Sequence, residues 1–174
     1  DLSCNLLKEF TSISESLSVL DLSFNRLTQI QFMSSSLREL KLSGNDITSL
    51  PSNSHFPSLT FLDISYNKLS NINNIKSFSP HLEKLSAEFN FIDVFPSFPQ
   101  TIRTIALEYN RLTKIPPLNS YQALECLTLN NNCIETIQQL PQSLTILSLE
   151  NNRIESTSSI SLTSLPSLSI SNNN

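Results

Sequence analysis

The sequence is poor in glycine, with one glycine in 174 residues against nine prolines and no tryptophan. Doubly wound sheets and phosphate-binding loops need glycine at their turns. This scarcity therefore argues against most nucleotide-dependent enzyme folds. Long apolar runs are missing as well, because none approaches the roughly 18 residues that a membrane-spanning helix requires. We therefore expect no insertion into a membrane.

Positive charge is also scarce. The chain has 11 Lys and Arg against 15 Asp and Glu, so its formal net charge is −4 and its isoelectric point is about 5.1. A general nucleic-acid binder carries the opposite balance, because it must neutralise phosphates. We expect no nucleic-acid partner.

What the sequence does have is a repeated asparagine. Nine asparagines are separated by 20, 20, 22, 23, 20, 22, 20 and 21 residues, and the complete repeats read L-x-x-L-x-L-x-x-N, as in Leu37, Leu40 and Leu42 before Asn45. The L-x-L segment alternates with period two, which predicts a short strand with one buried face. A unit of about 20 residues cannot bury that face alone, whereas stacked units share a continuous core.

This pattern resembles the leucine-rich repeat family, and the resemblance covers the whole chain. It implies an α/β-class solenoid shaped as a curved horseshoe, with a parallel sheet on the concave face. The return segments contain Leu50-Pro51, Phe95-Pro96 and Ile115-Pro116. Because such closely spaced prolines leave no room for a regular helix, we expect extended or 3₁₀ segments on the convex face and little α-helix. We expect one domain over residues 1–174, with about nine repeats and truncated at both ends.

The asparagines lie where the chain leaves each strand. Their amides both donate and accept hydrogen bonds, and so replace the sheet bonds that the bend removes. We interpret them as a structural ladder, whose interior members are Asn25, Asn45, Asn67, Asn90, Asn110, Asn132 and Asn152.

The sequence contains no recognisable catalytic or metal-binding pattern. His55 and His81 lack a matched ligand spacing, and the serines lack the G-x-S-x-G frame. Glu88 and Glu108 resemble a pair of acid–base carboxylates, but an open, wet sheet does not enclose a substrate between them. We expect no cofactor, no metal and no enzymatic activity in this segment.

The three cysteines form no C-x-x-C pair. Seven extended residues separate Cys126 from Cys133 by roughly 20 Å, which is too far for a disulfide. Secreted members of the family usually carry cysteine-rich caps, which are absent here. We therefore expect an intracellular, cytoplasmic location.

The resemblance implies a non-enzymatic module that binds a partner protein. Two alternatives stay open: a substrate-targeting arm of an attached enzyme (a 2C-type phosphatase, a ubiquitin ligase or a cyclase), and a secreted receptor ectodomain whose caps lie beyond these residues. The short repeats resemble those of bacterial effectors, whereas the longer ones resemble intracellular eukaryotic proteins. The sequence does not distinguish between these sources.

The repeat frame also predicts which side chains face solvent on the sheet. In the two positions before the asparagine, the first repeats carry serines, whereas the middle repeats carry acids and aromatic rings. We predict a binding site for a basic protein segment, made of Phe61, Tyr66, Glu88, Phe89, Glu108, Tyr109, Asn130 and Glu150. Two structural explanations compete with this one. Arg111 and Arg153 would simply neutralise the acids, and rings such as Phe24 and Tyr66 would pack against the turn below.

Overall fold

The computed structural model describes residues 1–52, 55–156 and 165–173. Eight strands form one parallel sheet, in which each strand pairs with the next along the chain. The strands are β1 (Val19–Asp21), β2 (Glu39–Lys41), β3 (Phe61–Asp63), β4 (Lys84–Ser86), β5 (Thr104–Ala106), β6 (Cys126–Thr128), β7 (Ile146–Ser148) and β8 (Ser167–Ser169). The predicted leucine-rich-repeat solenoid is therefore confirmed.

The strand register follows the repeat unit. Leu20 pairs with Leu40, and Leu40 pairs with Leu62, so the central residues of β1 to β3 form a row across the sheet. Each of these leucines is buried, whereas the residues on either side of it in the strand keep some exposure. Period-two alternation therefore places one row inside and leaves two rows facing solvent.

The core lies between this sheet and the return segments. Phenylalanines of the return segments form a chain of ring contacts, with centroid separations of 5.1 Å for Phe10–Phe32, 5.7 Å for Phe32–Phe56 and 4.8 Å for Phe56–Phe78. Phe32, Phe56 and Phe78 are buried. Ring pairs of this kind contribute about 0.5–1.5 kcal/mol each beyond their buried area, so they tie each repeat to the next on the side away from the sheet.

The return side contains one short helix among the described residues, α1 (Ile75–Phe78). The rest of it is turns and extended chain, without a 3₁₀-helix in the described part, which agrees with the expectation of extended or 3₁₀ segments and little α-helix. Proline explains the extended chain, because it lacks the N–H that a helix requires. No helix in the described ranges is long and apolar enough to span a bilayer.

The repeat count predicts about nine strands, but the described residues contain eight. The segment before β1 approaches the sheet without becoming a regular strand. Leu2 N–H donates to Asp21 O at 2.8 Å, and Cys4 N–H donates to Ser23 O at 2.9 Å. These two bonds continue the parallel pairing at one edge but are too few to form a ninth strand.

Candidate functional site

The chain leaves each strand through a turn that is held by the repeated asparagine. Asn110 is an example: its Oδ1 accepts from Ile92 N–H at 2.9 Å, and its Nδ2 donates to Ala87 O at 3.0 Å and to Leu107 O at 3.1 Å. Asn25, Asn45, Asn67, Asn90, Asn132 and Asn152 make the equivalent bonds. Each side chain therefore bonds to its own turn and to the previous repeat, so successive turns stack in register.

The residue before each asparagine has a left-handed backbone conformation. Its φ lies between +51° and +68° in Cys4, Phe24, Gly44, Tyr66, Phe89, Tyr109, Asn131, Asn151 and Asn172. Glycine and asparagine tolerate this conformation, whereas other residues pay roughly 1–2 kcal/mol for it. The aromatic residues at this position are therefore locally unfavourable, and their side chains are presented in one column at the end of the sheet.

Three of these side chains form a continuous ring stack. The Tyr66 and Phe89 centroids are 4.3 Å apart, those of Phe89 and Tyr109 are 4.1 Å apart, and both ring pairs are within 11° of parallel. Phe89 is 37% exposed between its neighbours, whereas Tyr66 and Tyr109 are 53% and 48% exposed. We call Tyr66, Phe89 and Tyr109 the ring stack. It is an apolar surface that remains open to solvent.

The column one residue earlier changes its chemistry beside the ring stack. Ser23, Ser43 and Ser65 are buried, and Ser43 Oγ and Ser65 Oγ are hydrogen-bonded at 3.0 Å. From the next repeat onward the column carries Glu88 and Glu108, both half-buried. A serine is short enough to fill this position with a local bond, whereas a glutamate must extend beyond it.

The carboxyl groups of the two glutamates are partly withdrawn from solvent. Glu88 Oε2 and Glu108 Oε2 are hidden from solvent and have no hydrogen-bond partner in the described part of the chain. Burial raises the pKa of the Glu88 carboxyl to about 7, and the charges of Glu108 and Asp63 act in the same direction, against the opposing effects of its own backbone N–H and of Lys84. A carboxyl group in the position of Glu88 therefore favours an incoming cation or a proton.

Basic side chains near the site are engaged elsewhere. Arg111 lies over the Phe91 ring at 4.6 Å, and Lys84 lies over the Phe61 ring at 5.0 Å. The ion pairs among residues 1–52, 55–156 and 165–173 are Lys41–Glu39, Lys68–Asp46 and Arg103–Glu125. Glu88, Glu108 and Glu150 therefore have no ion pair in these ranges, neither with Arg111 nor with Arg153.

The last two residues of this column, Asn130 and Glu150, are held by hydrogen bonds with their neighbours. Asn130 Oδ1 accepts from Glu150 N–H at 2.7 Å, and Glu150 Oε1 accepts a very short hydrogen bond from Ser169 Oγ. These bonds fix both side chains at the end of the acidic column. The column is therefore continuous from β4 to β7.

The ring stack and the glutamates Glu88, Glu108 and Glu150 border a shallow depression of ≈ 410 Å³, which we call the rim depression. It is lined by Ser65, Tyr66, Glu88, Phe89, Glu108, Tyr109, Asn130, Asn131, Glu150 and Asn151. Seven of the eight residues predicted as a binding site thus meet here. Phe61 does not, because it lies in β3 at the other end of the strand, where Lys84 covers its ring.

The prediction omitted three residues that line the rim depression: Ser65, Asn131 and Asn151. All three occupy the same two columns of the repeat frame as the predicted residues, so the signal was present in the sequence. Serine and asparagine at these positions are equally compatible with a purely structural role.

Other predicted features do not form a site. Cys4, Cys126 and Cys133 are free thiols, and burial raises the pKa of the Cys126 thiol. Among the residues that the structure describes, no group of three or more His, Cys, Asp or Glu side chains is arranged to hold a metal ion. His55 Nδ1 lies 3.3 Å from Ser77 O, within the return side.

Family models match most of the repeats. A model described as "Leucine Rich repeats (2 copies)" matches residues 35–77 and 100–142, and a model described as "Leucine Rich Repeat" matches residues 143–168. The chain belongs to the leucine-rich repeat family. The stretch 78–99, which contains Ala87, Glu88 and Phe89, lies between the matched stretches. Part of the rim depression therefore comes from a repeat that the family models do not match.

Solved structures share this solenoid. YopM from Yersinia enterocolitica WA-314 superposes with a TM-score of 0.82 at 25% identity, over 97% of this chain and 36% of the YopM chain. YopM from Yersinia pestis, described as a leucine-rich effector protein, gives 0.67 at 23% identity over 95% of this chain and 54% of its own. The functional domain of InlJ from Listeria monocytogenes gives 0.57 at 21% identity over 89% of this chain and 40% of its own.

The chain thus spans about a third of the length of the first of these proteins and about half of the second. No curated protein matches its sequence. The family and fold support a protein-interaction module.

Proposed function

We propose that this chain binds a partner protein on the exposed face of its sheet, and that the rim depression receives a basic segment of that partner. The observation that carries the proposal is the set of three carboxylates, Glu88, Glu108 and Glu150, that have no ion pair among the described residues and lie beside the ring stack. A scaffold gains no stability from like charges on adjacent strands, which repel each other.

The two parts of the depression have different tasks in binding. Exposed aromatic rings supply contact area that loses little side-chain entropy on binding, and interface hot spots are rich in such residues. Carboxylates attract a basic segment from a distance and form charge-assisted hydrogen bonds on contact. The half-buried Glu88 and Glu108 are in a less polar setting than surface acids, so each bond to them is stronger than it would be in water.

The first experiment selects a peptide ligand from a random peptide library displayed on phage, using the whole protein as bait. We expect enrichment of peptides rich in Arg and Lys. Affinity of a selected peptide should fall by at least tenfold, about 1.4 kcal/mol, in the variant Glu88→Lys/Glu108→Lys. Affinity should also fall as salt is added, because exposed charges are screened.

A matched control separates the rim depression from overall charge. Glu9→Lys/Glu135→Lys changes the net charge by the same amount at two exposed positions away from the depression. This control should keep affinity within about threefold, since distant surface charges contribute little. Equal loss in both double variants would show that net charge, not this site, governs binding. Unchanged binding in a folded Glu88→Lys/Glu108→Lys variant would place the site elsewhere.

We also propose that the protein works in a reducing, intracellular compartment. The support is that Cys4, Cys126 and Cys133 are all free, as is usual where thiols are kept reduced. Compartment fractionation of the native source with an antibody to this chain tests the point. Recovery in the secreted fraction would contradict it.

A further inference from the structure

Glu88 and Glu108 lie side by side, just beyond two paired strands. Strands β4 and β5 are in register, with Ser86 opposite Ala106, and each glutamate follows two residues later. The backbone continues this pairing, since Phe89 N–H donates to Glu108 O at 3.0 Å. Neighbouring strands are about 5 Å apart, so the two glutamate side chains leave the sheet as close neighbours.

The carboxyl groups of this pair gain little stabilisation when both are charged. One oxygen of each, Glu88 Oε2 and Glu108 Oε2, is hidden from solvent and has no hydrogen-bond partner in the described part of the chain. Neither side chain is in an ion pair there. A hidden carboxylate oxygen loses the water that would stabilise its charge, and two like charges in one site repel each other. Such a pair lowers its free energy when one carboxyl takes up a proton.

The surroundings of Glu88 decide which carboxyl takes that proton. Burial is the main cause that raises its pKa, and the charges of Glu108 and Asp63 add to it. The Glu88 backbone N–H and Lys84 act in the opposite direction, but Lys84 Nζ lies over the Phe61 ring, 5.0 Å from its centroid. The balance brings the pKa of Glu88 to about 7. The other titratable side chains that line the depression or interact with Glu108 are Tyr66, Tyr109, Glu150 and Cys126.

We propose that the Glu88 carboxyl holds a proton in the free protein near neutral pH and releases it when the basic segment of the partner enters the rim depression, so that a fall in pH weakens binding. The O–H bond of the carboxyl breaks, and the proton passes to the buffer. The carboxylate then accepts a hydrogen bond from the cation of the partner. The inference rests on the proposed function and adds its regulation by pH.

The test uses hexa-arginine as the probe, labelled at its amino end with tetramethylrhodamine and amidated at its carboxyl end. Its guanidinium groups stay charged at every pH used. Binding to the whole protein is measured by fluorescence anisotropy between pH 6 and pH 8 at constant ionic strength. With a pKa of about 7, most of Glu88 is ionised at pH 8 and about one tenth at pH 6. We therefore expect the affinity to fall about tenfold from pH 8 to pH 6.

Two substitutions in the acidic column locate the proton. Glu88→Gln should bind less tightly than the parent at pH 8, and its affinity should change by less than about twofold from pH 8 to pH 6, because glutamine does not ionise. Glu150→Gln is the matched control. Glu150 belongs to the same column, but its Oε1 already accepts a hydrogen bond from Ser169 Oγ. This control should weaken binding equally at both pH values and so keep the parent's ratio of affinities.

The histidines require a control of their own, because histidine is the side chain that usually changes its charge in this pH range. His55 and His81 are exposed and do not line the rim depression. The double variant His55→Gln/His81→Gln should therefore keep the parent's ratio of affinities between pH 8 and pH 6. Loss of the ratio in this variant would assign the proton to a histidine and overturn the inference.

Calorimetry counts the released proton. Binding of hexa-arginine at pH 7 is measured in PIPES and in ACES, two buffers with different heats of ionisation. We expect release of about half a proton per complex, since about half of Glu88 is protonated at a pH equal to its pKa. Glu88→Gln should show no release. Circular dichroism at both ends of the pH range checks that each variant is folded.

The outcomes separate the two proposals. Binding of hexa-arginine that does not change with pH, but is lost in Glu88→Lys/Glu108→Lys, would overturn the proton release and leave the proposed function standing. A loss of affinity at pH 6 that persists in Glu88→Gln would also overturn it, because another group would then carry the proton. If hexa-arginine binds at neither pH even at low salt, the proposed function fails, and the inference fails with it.

Discussion

Removal of one ladder amide, Asn110→Ala, tests whether these asparagines hold the turns. The structure identifies which groups lose a partner. Asn110 is buried, at 8% exposure, and its Oδ1 accepts from Ile92 N–H. Its Nδ2 donates to the carbonyls of Ala87, Leu107 and Glu108. Alanine removes all of these bonds but leaves the backbone groups in place.

The carbonyls keep other partners. Ala87 O still accepts from Asn90 Nδ2 at 3.2 Å, Leu107 O accepts from Asn132 Nδ2 at 2.9 Å, and Glu108 O accepts from Phe89 N–H at 3.0 Å. Only the Ile92 N–H is left without its acceptor.

A buried donor without a partner costs about 1–3 kcal/mol, and a carbonyl that keeps one bond loses much less. We therefore expect the free energy of unfolding to fall by about 2–3 kcal/mol, most of it from one N–H group.

The assay is equilibrium urea unfolding followed by circular dichroism. Asn5→Ala is the matched control, because Asn5 is exposed and its amide donates only to Leu2 O and Ser3 O in its own turn. Its loss should cost about 0.5 kcal/mol or less. If Asn110→Ala lost no more stability than Asn5→Ala, the two-sided bonding of the interior amide would not be what stabilises the turn.

Three further predictions follow from the same contacts. The Glu88→Gln variant should become more stable relative to the parent as pH rises from about 5 to 8. The pKa of Glu88 is raised from 4.5 to about 7, so the parent loses stability when this buried carboxyl ionises, whereas glutamine stays neutral. Converted in full, that pKa shift corresponds to about 3 kcal/mol in the free energy of unfolding. Solvent screening of a half-exposed carboxyl reduces the expected gain to about 1 kcal/mol. Unfolding free energies of both proteins that do not change with pH would contradict this. Gly44→Ala should destabilise by about 1–2 kcal/mol in urea unfolding, since φ is +68° and the new Cβ meets the Phe24 ring; a Phe24→Ala background that restored full stability would show that the clash alone matters. His55→Ala and His81→Ala should each leave the thermal midpoint within about 2 °C, because both are exposed, and a larger shift in either would assign that histidine a structural role.

The recurrence of leucine and asparagine was enough to predict the solenoid. Period-two alternation is a local property, and a strand such as Glu39–Lys41 buries the residue that the pattern places inward. The spacing of about 20 residues then sets the parallel register, because each unit must cover the apolar face of the previous one. Prolines in the return segments likewise predict chain without regular helix.

The columns of the candidate site could also be read from the repeat frame. Glu88, Glu108 and Glu150 share one frame position, as do Tyr66, Phe89 and Tyr109, and residues of one frame position lie side by side in a solenoid. The sequence thus predicted neighbours across the sheet. It placed Phe61 near them, however, although that ring lies at the other end of its strand.

The orientations of the side chains and the ionisation of the Glu88 carboxyl were decided by the tertiary structure. Whether Arg111 turns towards the acids or towards Phe91 depends on side-chain torsions that repeat spacing does not restrict. The parallel stacking of Phe89 on Tyr109 likewise requires rings 20 residues apart to adopt matching orientations. Burial of the Glu88 carboxyl, which raises its pKa, exists only after neighbouring repeats have displaced water from it. The sequence by itself determined which residues share a column, because that follows from a local period. Only the packed structure decided which charges keep no ion-pair partner and how the rings are oriented, because desolvation and side-chain orientation depend on contacts between repeats.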